Sequence, residues 1–118
     1  MSKEIAALTE KLLHYNHLFL KNYQEAREKG IKKDFHEVIK PFTDEVKAIN
    51  EEWKRLMKIR LKENPHKHIH LKQIDTTSEH IEQQSIQSFF PETSRSRFLN
   101  TNRTVDYFLL EIRKELGF

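Results

Sequence analysis

Residues 34–65 read DFHEVIKPFTDEVKAINEEWKRLMKIRLKENP, and their apolar side chains recur every three or four positions. The positions are Phe35, Val38, Phe42, Val46, Ile49, Trp53 and Leu56, with Arg60 in the next place. This spacing puts them on one face of a helix that buries the face. We therefore predict a helix over residues 34–62 and expect Trp53 in the core.

The ends of this helix are marked by their own residues. Asp34, followed three positions later by a glutamate, is typical of a helix N-terminus. Pro65 pushes Asn64 toward extended geometry, so the helix should end before it. Pro41 lacks an amide donor and crowds the preceding turn. Two alternatives follow: Pro41 kinks one helix, or it stands in the first turn of a second helix, where proline is favoured.

Three further stretches, residues 3–29, 71–90 and 94–116, carry the same spacing. Their stripes are Ile5, Leu8, Leu12, Tyr15, Phe19 and Ala26; Leu71, Ile74, Ser78, Ile81, Ser85 and Phe89; and Phe98, Asn102, Val105, Leu109, Ile112 and Leu116. Ser2 is expected to cap the first helix, and Gly30 suits the position just past its end. Short connections make consecutive helices antiparallel. The pattern predicts an all-α fold, an antiparallel up-down-up-down four-helix bundle in one domain, residues 1–118.

Length and composition set further limits. A chain of 118 residues can bury one hydrophobic core but not two. It contains no cysteine, which excludes disulfides and thiolate chemistry and makes no demand for an oxidising compartment. Every uncharged run is short and the first residues are amphipathic, so we expect neither a membrane span nor an export segment. We expect a cytoplasmic protein.

Basic residues are concentrated in residues 53–72, which hold seven lysines and arginines against one glutamate. The candidate binding residues in and around this region are Lys54, Lys58, Arg60, Lys62, His68 and His70. A solvated helix face is the usual meaning of such a run, and cations also complement the carbonyl end of a helix. The phosphates of a nucleic acid would contact the same residues. Seven basic residues are few compared with the number on a dedicated nucleic-acid-binding domain, so we do not expect nucleic-acid binding.

No motif for catalysis or nucleotide binding is present, because two glycines cannot build a Gly-x-Ser-x-Gly turn or a phosphate loop. A carboxylate-bridged metal site in a bundle needs helical Glu-x-x-His pairs, and the single such pair, Glu63 and His66, has a proline inside it. His66, His68 and His70 alternate and would point the same way in an extended loop. Lysines lie among them, and we predict neither a metal nor a cofactor.

A second candidate site is a pocket between helices. Serine fills two of six places in the third stripe, where small residues either let helices approach closely or line a polar pocket. Such a pocket, between the second, third and fourth helices, would bring together Trp53, Gln84, Ser88 and Tyr107. An enzymatic or metal site, if the bundle has one, is expected there.

The run Asp-Phe-His-Glu-Val-Ile-Lys-Pro at residues 34–41 resembles the YppE-like proteins of Bacillus-type bacteria, a small family of unknown function. Further matches at the family's intervals are Trp53, Gln73-Ile74 after His70, Gln87-Ser88 before Phe89, and Arg97-Phe98 before Val105 and Tyr107. The resemblance extends from Asp34 to about Ile112. It implies a left-twisted antiparallel four-helix bundle, and it implies no reaction and no catalytic residues.

These observations predict a non-catalytic binding or protein-interaction module whose partner is an unidentified protein. The alternatives are a metal-binding or enzymatic bundle, and weak nucleic-acid binding through residues 54–72. Apolar stripes of this width are expected for a monomer. A weak homodimer would use the apolar residues left over from the stripes, which are Leu13, Leu20, Ile59, Leu61, Phe90 and Phe118.

Overall fold

The computed structural model describes residues 2–30 and 32–117, except for the side chain of Ser2, and confirms the all-α class with no strand in that part of the chain. Its helices are α1 (Ser2–Lys29), a π-helical segment (Phe35–Ile39), α2 (Lys40–Glu63), α3 (Leu71–Gln87) and α4 (Arg95–Glu115). The predicted cap of Ser2 and dimer contact of Phe118 lie outside the described side chains. None of the described helices is long and apolar enough to cross a bilayer.

The third helix is shorter than predicted. It ends at Gln87 rather than at residue 90. The amides of Phe89 and Phe90 donate to the carbonyls three residues earlier, so the chain tightens into turns there. Pro91 disfavours helical geometry only in Phe90, the residue before it, so it limits the helix but does not by itself set the end at Gln87.

Neighbouring helices run antiparallel. Between α1 and α2, later residues of one meet earlier residues of the other: Thr9 meets Trp53, Tyr15 meets Glu45 and Phe19 meets Phe42. The same reversal joins α1 to α4, where Glu10 meets Arg113, His17 meets Asp106 and Tyr23 meets Phe98. α3 packs against both α2 and α4, so the four helices close into a bundle in chain order.

The core is built from the predicted stripes. Leu12, Val46, Ile81 and Leu109, one from each helix, are fully buried, and so is Trp53. The indole N–H of Trp53 donates to the hydroxyl of Thr9 at 3.1 Å, and that hydroxyl donates to the carbonyl of Ile5 at 2.8 Å. The predicted core position of Trp53 is therefore confirmed, and its polar atom has the partner that a buried indole needs.

Apolar residues outside the stripes also enter the core. Leu13 and Leu61 are buried, and Leu20 packs against the core. Each helix of a bundle contacts two neighbours, so its buried face is wider than one row of side chains. These residues contact the chain's own core, so they are not available to form the predicted dimer face.

The chain around Pro41 departs from a regular α-helix. The side chain of Asp34 accepts a hydrogen bond from the amide of Glu37 at 2.6 Å, which confirms the predicted N-cap. The amides of Ile39 and Lys40 bond to carbonyls five residues back, which is the π-helical pattern. α2 then begins at Lys40 with Pro41 in its first turn. The backbone of Ile39 and Lys40 is helical, so the π-helical segment continues into α2 without a break, and Pro41 lies in the first turn of the α-helical part, where proline is favoured.

This segment corrects the prediction for Phe35 and Val38. The sequence predicts both on the buried stripe, but they are 54% and 40% exposed. A π turn holds more residues than an α turn, so the α-helical spacing of α2 does not carry back through Pro41. Ile39 is the one buried residue of the segment.

Three carboxamides from three helices meet in the core. Asn16 of α1, Gln84 of α3 and Asn102 of α4 are all buried. The side-chain amide of Asn102 donates to Oδ1 of Asn16 and to Oε1 of Gln84, both at 3.1 Å. The amide of Asn16 donates to the carbonyl of Asn102 at 3.0 Å, and that of Gln84 to the carbonyl of Phe98 at 3.1 Å. Because unpaired buried amides are costly, this network ties α1, α3 and α4 together.

Replacing Trp53 by alanine should lower the free energy of unfolding by about 3–5 kcal/mol, because the lost indole leaves a large cavity. Thr9→Val should lower it by about 1–3 kcal/mol, because the indole N–H would stay buried without an acceptor. Urea denaturation followed by circular dichroism measures both. A denaturation midpoint unchanged by Trp53→Ala would contradict the buried position.

Asn102→Leu should lower the free energy of unfolding by about 1–3 kcal/mol, because it leaves the side-chain oxygens of Asn16 and Gln84 buried without a donor. Asn100→Leu, on the exposed side of α4, is the matched control and should change the free energy by less than about 0.5 kcal/mol. Equal effects of the two substitutions would show that the network does not stabilise the bundle.

Candidate functional site

The three alternating histidines between α2 and α3 have different surroundings. Nδ1 of His66 accepts the backbone N–H of exposed His68 at 3.0 Å, which places the proton of the neutral ring on Nε2, 3.5 Å from Oε2 of Glu115. His70 stands at the N-cap of α3, where its backbone N–H donates to the side chain of Gln73 at 2.7 Å. Within residues 2–30 and 32–117, no group of three His, Asp or Glu is arranged to hold a metal ion.

The predicted cationic face of α2 is partly paired with α3. Nζ of Lys58 lies 2.7 Å from Oδ1 of Asp75, and Nζ of Lys54 lies 3.6 Å from it. The hydrogen bond from Lys58, together with the charges of both lysines, holds the pKa of Asp75 below its usual range. Lys62 is exposed and Arg60 is partly buried. Of the lysines predicted on this face, which are Lys54, Lys58 and Lys62, the first two therefore share a counter-ion.

The predicted pocket between helices is not formed. Trp53, Gln84 and Ser88 are fully buried in the core, whereas Tyr107 is 68% exposed on α4. The hydroxyl of Ser88 donates to the carbonyl of Ser85 at 3.2 Å, within its own helix. The polar groups expected to line a pocket are instead bonded to backbone or to the amide network. The four residues do not meet, which corrects that prediction.

A groove of about 650 Å³ lies between α3 and α4, beside the first half of α3. It is lined by His70, Lys72, Gln73, Thr76, Thr77 and His80 on one side and by Thr104, Tyr107 and Phe108 on the other. This volume is within the range of small-molecule sites in proteins. His70 and Tyr107, which the sequence assigns to two different sites, meet here.

The groove forms where no long side chain fills the space between α3 and α4. Gln84 and Asn102 join the two helices beyond one end of it. Next to the groove, Thr77 and Thr104 are too short to bridge the gap, and Tyr107, which is long enough, is turned mostly toward solvent. α3 also packs less closely against α4 than against α2.

Most of the residues in this groove carry no recognisable signal in the sequence. Thr77, His80 and Thr104 belong to no motif and lie beside the apolar stripes rather than on them. The available signal is the helical spacing of Gln73, Thr77 and His80, which places them on one face of α3 next to its serine-containing stripe. That spacing cannot say which neighbouring helix the face meets.

The groove has basic side chains in its lining and no acidic ones. Lys72 forms no ion pair with any described residue, and His70 and His80 are two further groups that become cations when protonated. Asp75, although nearby in sequence, is paired with the lysines of α2. The groove also lies beside the N-terminus of α3, where the helix dipole is positive.

A smaller groove between α1 and α4 contains a histidine–aspartate pair. Nε2 of His17 lies 3.3 Å from Oδ1 of Asp106, and this oxygen is buried with no hydrogen-bond partner among the described residues. His14, Glu10 and Arg113 also line the groove. No hydroxyl side chain lines it, so the pair has no adjacent nucleophile to activate.

The pKa of Asp75 should lie below the ordinary aspartate value of about 3.9, and Lys58→Gln should raise it. Because the pKa is lowered in the folded state, this carboxylate stabilises the fold above the ordinary aspartate pKa, and the contribution is lost as the pH falls through the lowered value. Carboxyl chemical shifts followed by NMR titration measure it. Lys47→Gln, on an exposed part of α2, is the control; an Asp75 pKa unaffected by Lys58→Gln would contradict the pairing.

Comparison with known proteins identifies relatives along nearly the whole chain. Residues 9–116 match a family described as a bacterial domain of unknown function, DUF1798. The uncharacterised protein YppE of Bacillus subtilis (strain 168) is 23% identical over 117 residues, which are 99% of this chain and 95% of YppE. The crystal structure of YppE matches with a TM-score of 0.94 over 99% of this chain and 95% of that one, at 23% identity.

Two further structures share the fold. One is a protein of unknown function from Listeria innocua, with a TM-score of 0.92 and 23% identity over 98% of this chain and 92% of that one. The other is a DUF1798 domain from Staphylococcus aureus, with a TM-score of 0.86 and 22% identity over 94% of each chain. At these identities the structural likeness shows the fold alone. The extent of the sequence match shows more, and it confirms the resemblance found at residues 34–41: this chain belongs to the DUF1798 family, a bacterial family of unknown function.

Proposed function

We propose that this protein is a cytoplasmic, non-catalytic binding module and that its ligand occupies the groove between α3 and α4. The observation that carries the proposal is the groove itself, which combines a suitable volume with a mixed lining. Phe108 and the exposed ring of Tyr107 offer apolar surface, while Thr104 and His80 offer hydrogen-bonding groups. Apolar walls with a few polar groups are the usual composition of ligand sites.

A binding role agrees better with this lining than a catalytic one. General acid–base or nucleophilic catalysis needs side chains within hydrogen-bonding reach of one another. His70 and His80, the ionisable imidazoles of the groove, are ten positions apart on one helix, about 15 Å along its axis. The predicted enzymatic alternative placed Trp53 and Gln84 in a shared site, and both are core residues.

The cationic face of α2 remains a prediction of a second binding surface, for an acidic protein partner. Lys62 is exposed on this face and His68 is exposed in the connection that follows α2, but Lys54 and Lys58 are both paired with Asp75. Partial neutralisation weakens the field that would steer such a partner or a nucleic acid. The α3–α4 groove is therefore the better-supported site. The proposed cytoplasmic location agrees with a sequence that has no cysteine and makes no demand for an oxidising compartment.

The proposal is tested by filling the groove. Thr104→Trp places an indole at the groove wall, and Asn100→Trp places the same side chain one turn away on the exposed side of α4. A small-molecule fragment library is screened against the protein by amide chemical shifts, and both variants are first checked for an unchanged melting temperature.

We expect fragments that shift the amides of Thr77, His80 and Tyr107 in the unsubstituted protein and in Asn100→Trp, but not in Thr104→Trp. Fragments that bind elsewhere, or that bind Thr104→Trp equally well, would contradict the groove as the binding site.

A further inference from the structure

The chemical class of the ligand follows from the lining of the groove, and this inference rests on the proposed function. We infer that the α3–α4 groove binds a small organic anion with an aromatic body: its carboxylate, sulfonate or phosphate lies toward Lys72 and the start of α3, and its ring lies against Tyr107. Charge and shape support the two halves of this assignment separately.

The positive charge at the start of α3 favours an anionic ligand. Lys72 stands in the first turn of α3, lines the groove, and has no counter-ion among the described residues. On the adjacent turn, the carboxylate of Asp75 is paired with Lys54 and Lys58, so this neighbouring acidic side chain faces α2 rather than the groove. An anion placed here would meet a lysine and the positive end of a helix dipole, and none of the residues that line the groove is a carboxylate.

The aromatic side chains of α4 at the groove favour a ligand with a planar ring. Tyr107 is the most exposed large apolar side chain that the structure describes, at 68%, and it lines the groove although most of it faces water. Phe108 beside it is buried and forms an apolar wall. A planar ring laid against Tyr107 would cover surface that now faces water and would gain the favourable geometry of aromatic pairs.

The dimensions favour a small molecule over a polymer. From Lys72 to His80 the groove follows α3 for eight residues, about 12 Å. Lys72 is the one permanent cation in its lining, so successive phosphates of a nucleic acid would find one partner rather than a row. One charge beside one exposed ring matches a ligand with one anionic group and one ring system.

The test uses two probes of nearly the same shape. 1-Anilinonaphthalene-8-sulfonate carries a sulfonate, and N-phenyl-1-naphthylamine is the same molecule without it. Both become fluorescent in apolar surroundings, so titration gives an affinity for each. We expect the sulfonate to bind more tightly by about tenfold at low salt, and to lose that advantage as salt rises.

Substitutions separate the two contributions. Lys72→Gln should weaken the sulfonate about threefold, the scale of a single exposed charge, and leave the neutral probe unchanged. Tyr107→Ala should weaken both probes by the same factor. Lys47→Gln, an exposed lysine of α2, is the matched control and should change neither affinity.

The outcomes distinguish this inference from the proposal on which it rests. If both probes bind with equal affinity and both are blocked by Thr104→Trp, the groove is a binding site but its ligand is not an anion, which overturns the inference and leaves the proposed function standing. If the sulfonate still binds to Thr104→Trp, or neither probe binds, the inference is overturned as well. The fragment screen then decides the proposed function independently.

Discussion

The alignment of three of the four helices depends on carboxamides that are shut away from water. Asn16, Gln84 and Asn102 can satisfy their amide groups only with one another and with nearby backbone carbonyls. Sliding any one helix by a turn, about 5.4 Å, would separate these partners. Apolar stripes tolerate such a slide far better, because any well-filled apolar contact is acceptable. The network therefore selects one alignment from those that hydrophobic burial alone would permit.

This alignment determines what α3 presents on each side. With Gln84 fixed against α4, Asp75 faces the lysines of α2 and joins those two helices by charge. Thr77 and His80 face the gap toward α4, where nothing long enough fills the space. The polar residues of one helix are thereby divided between holding the bundle together and lining a groove. A helix rich in small polar residues makes this division possible, because it buries less apolar surface than its neighbours.

Local pattern predicted most of the fold because helix periodicity is a local property. The stripes containing Leu12, Val46, Ile81 and Leu109 predicted the helices and their buried faces. The prediction that Phe35 is buried was wrong because Phe35 lies in the π-helical segment. The residue spacing of that segment is set by its hydrogen bonds, which the residue pattern does not encode.

The site was predicted less well, because a groove between two helices depends on which faces meet. Gln84 and Ser88 suggested a pocket by their polarity, yet a buried polar side chain serves equally well as a partner for backbone, of another helix for Gln84 and of its own helix for Ser88. His70 and Tyr107 were identified as candidates, but their common location required the antiparallel pairing of α3 with α4. Thr77, His80 and Thr104 carried no chemical signature and became visible only through that pairing.

The exchange of side-chain amide protons measured by NMR tests the central claim most directly. If Asn16, Gln84 and Asn102 form a closed network in a dry interior, their carboxamide protons should exchange with solvent far more slowly than those of exposed Asn100, and should show contacts from Asn102 to both partners. Carboxamide protons of Gln84 and Asn102 that exchange as fast as those of Asn100 would contradict the account, because the alignment of α3 with α4 would then have no such anchor.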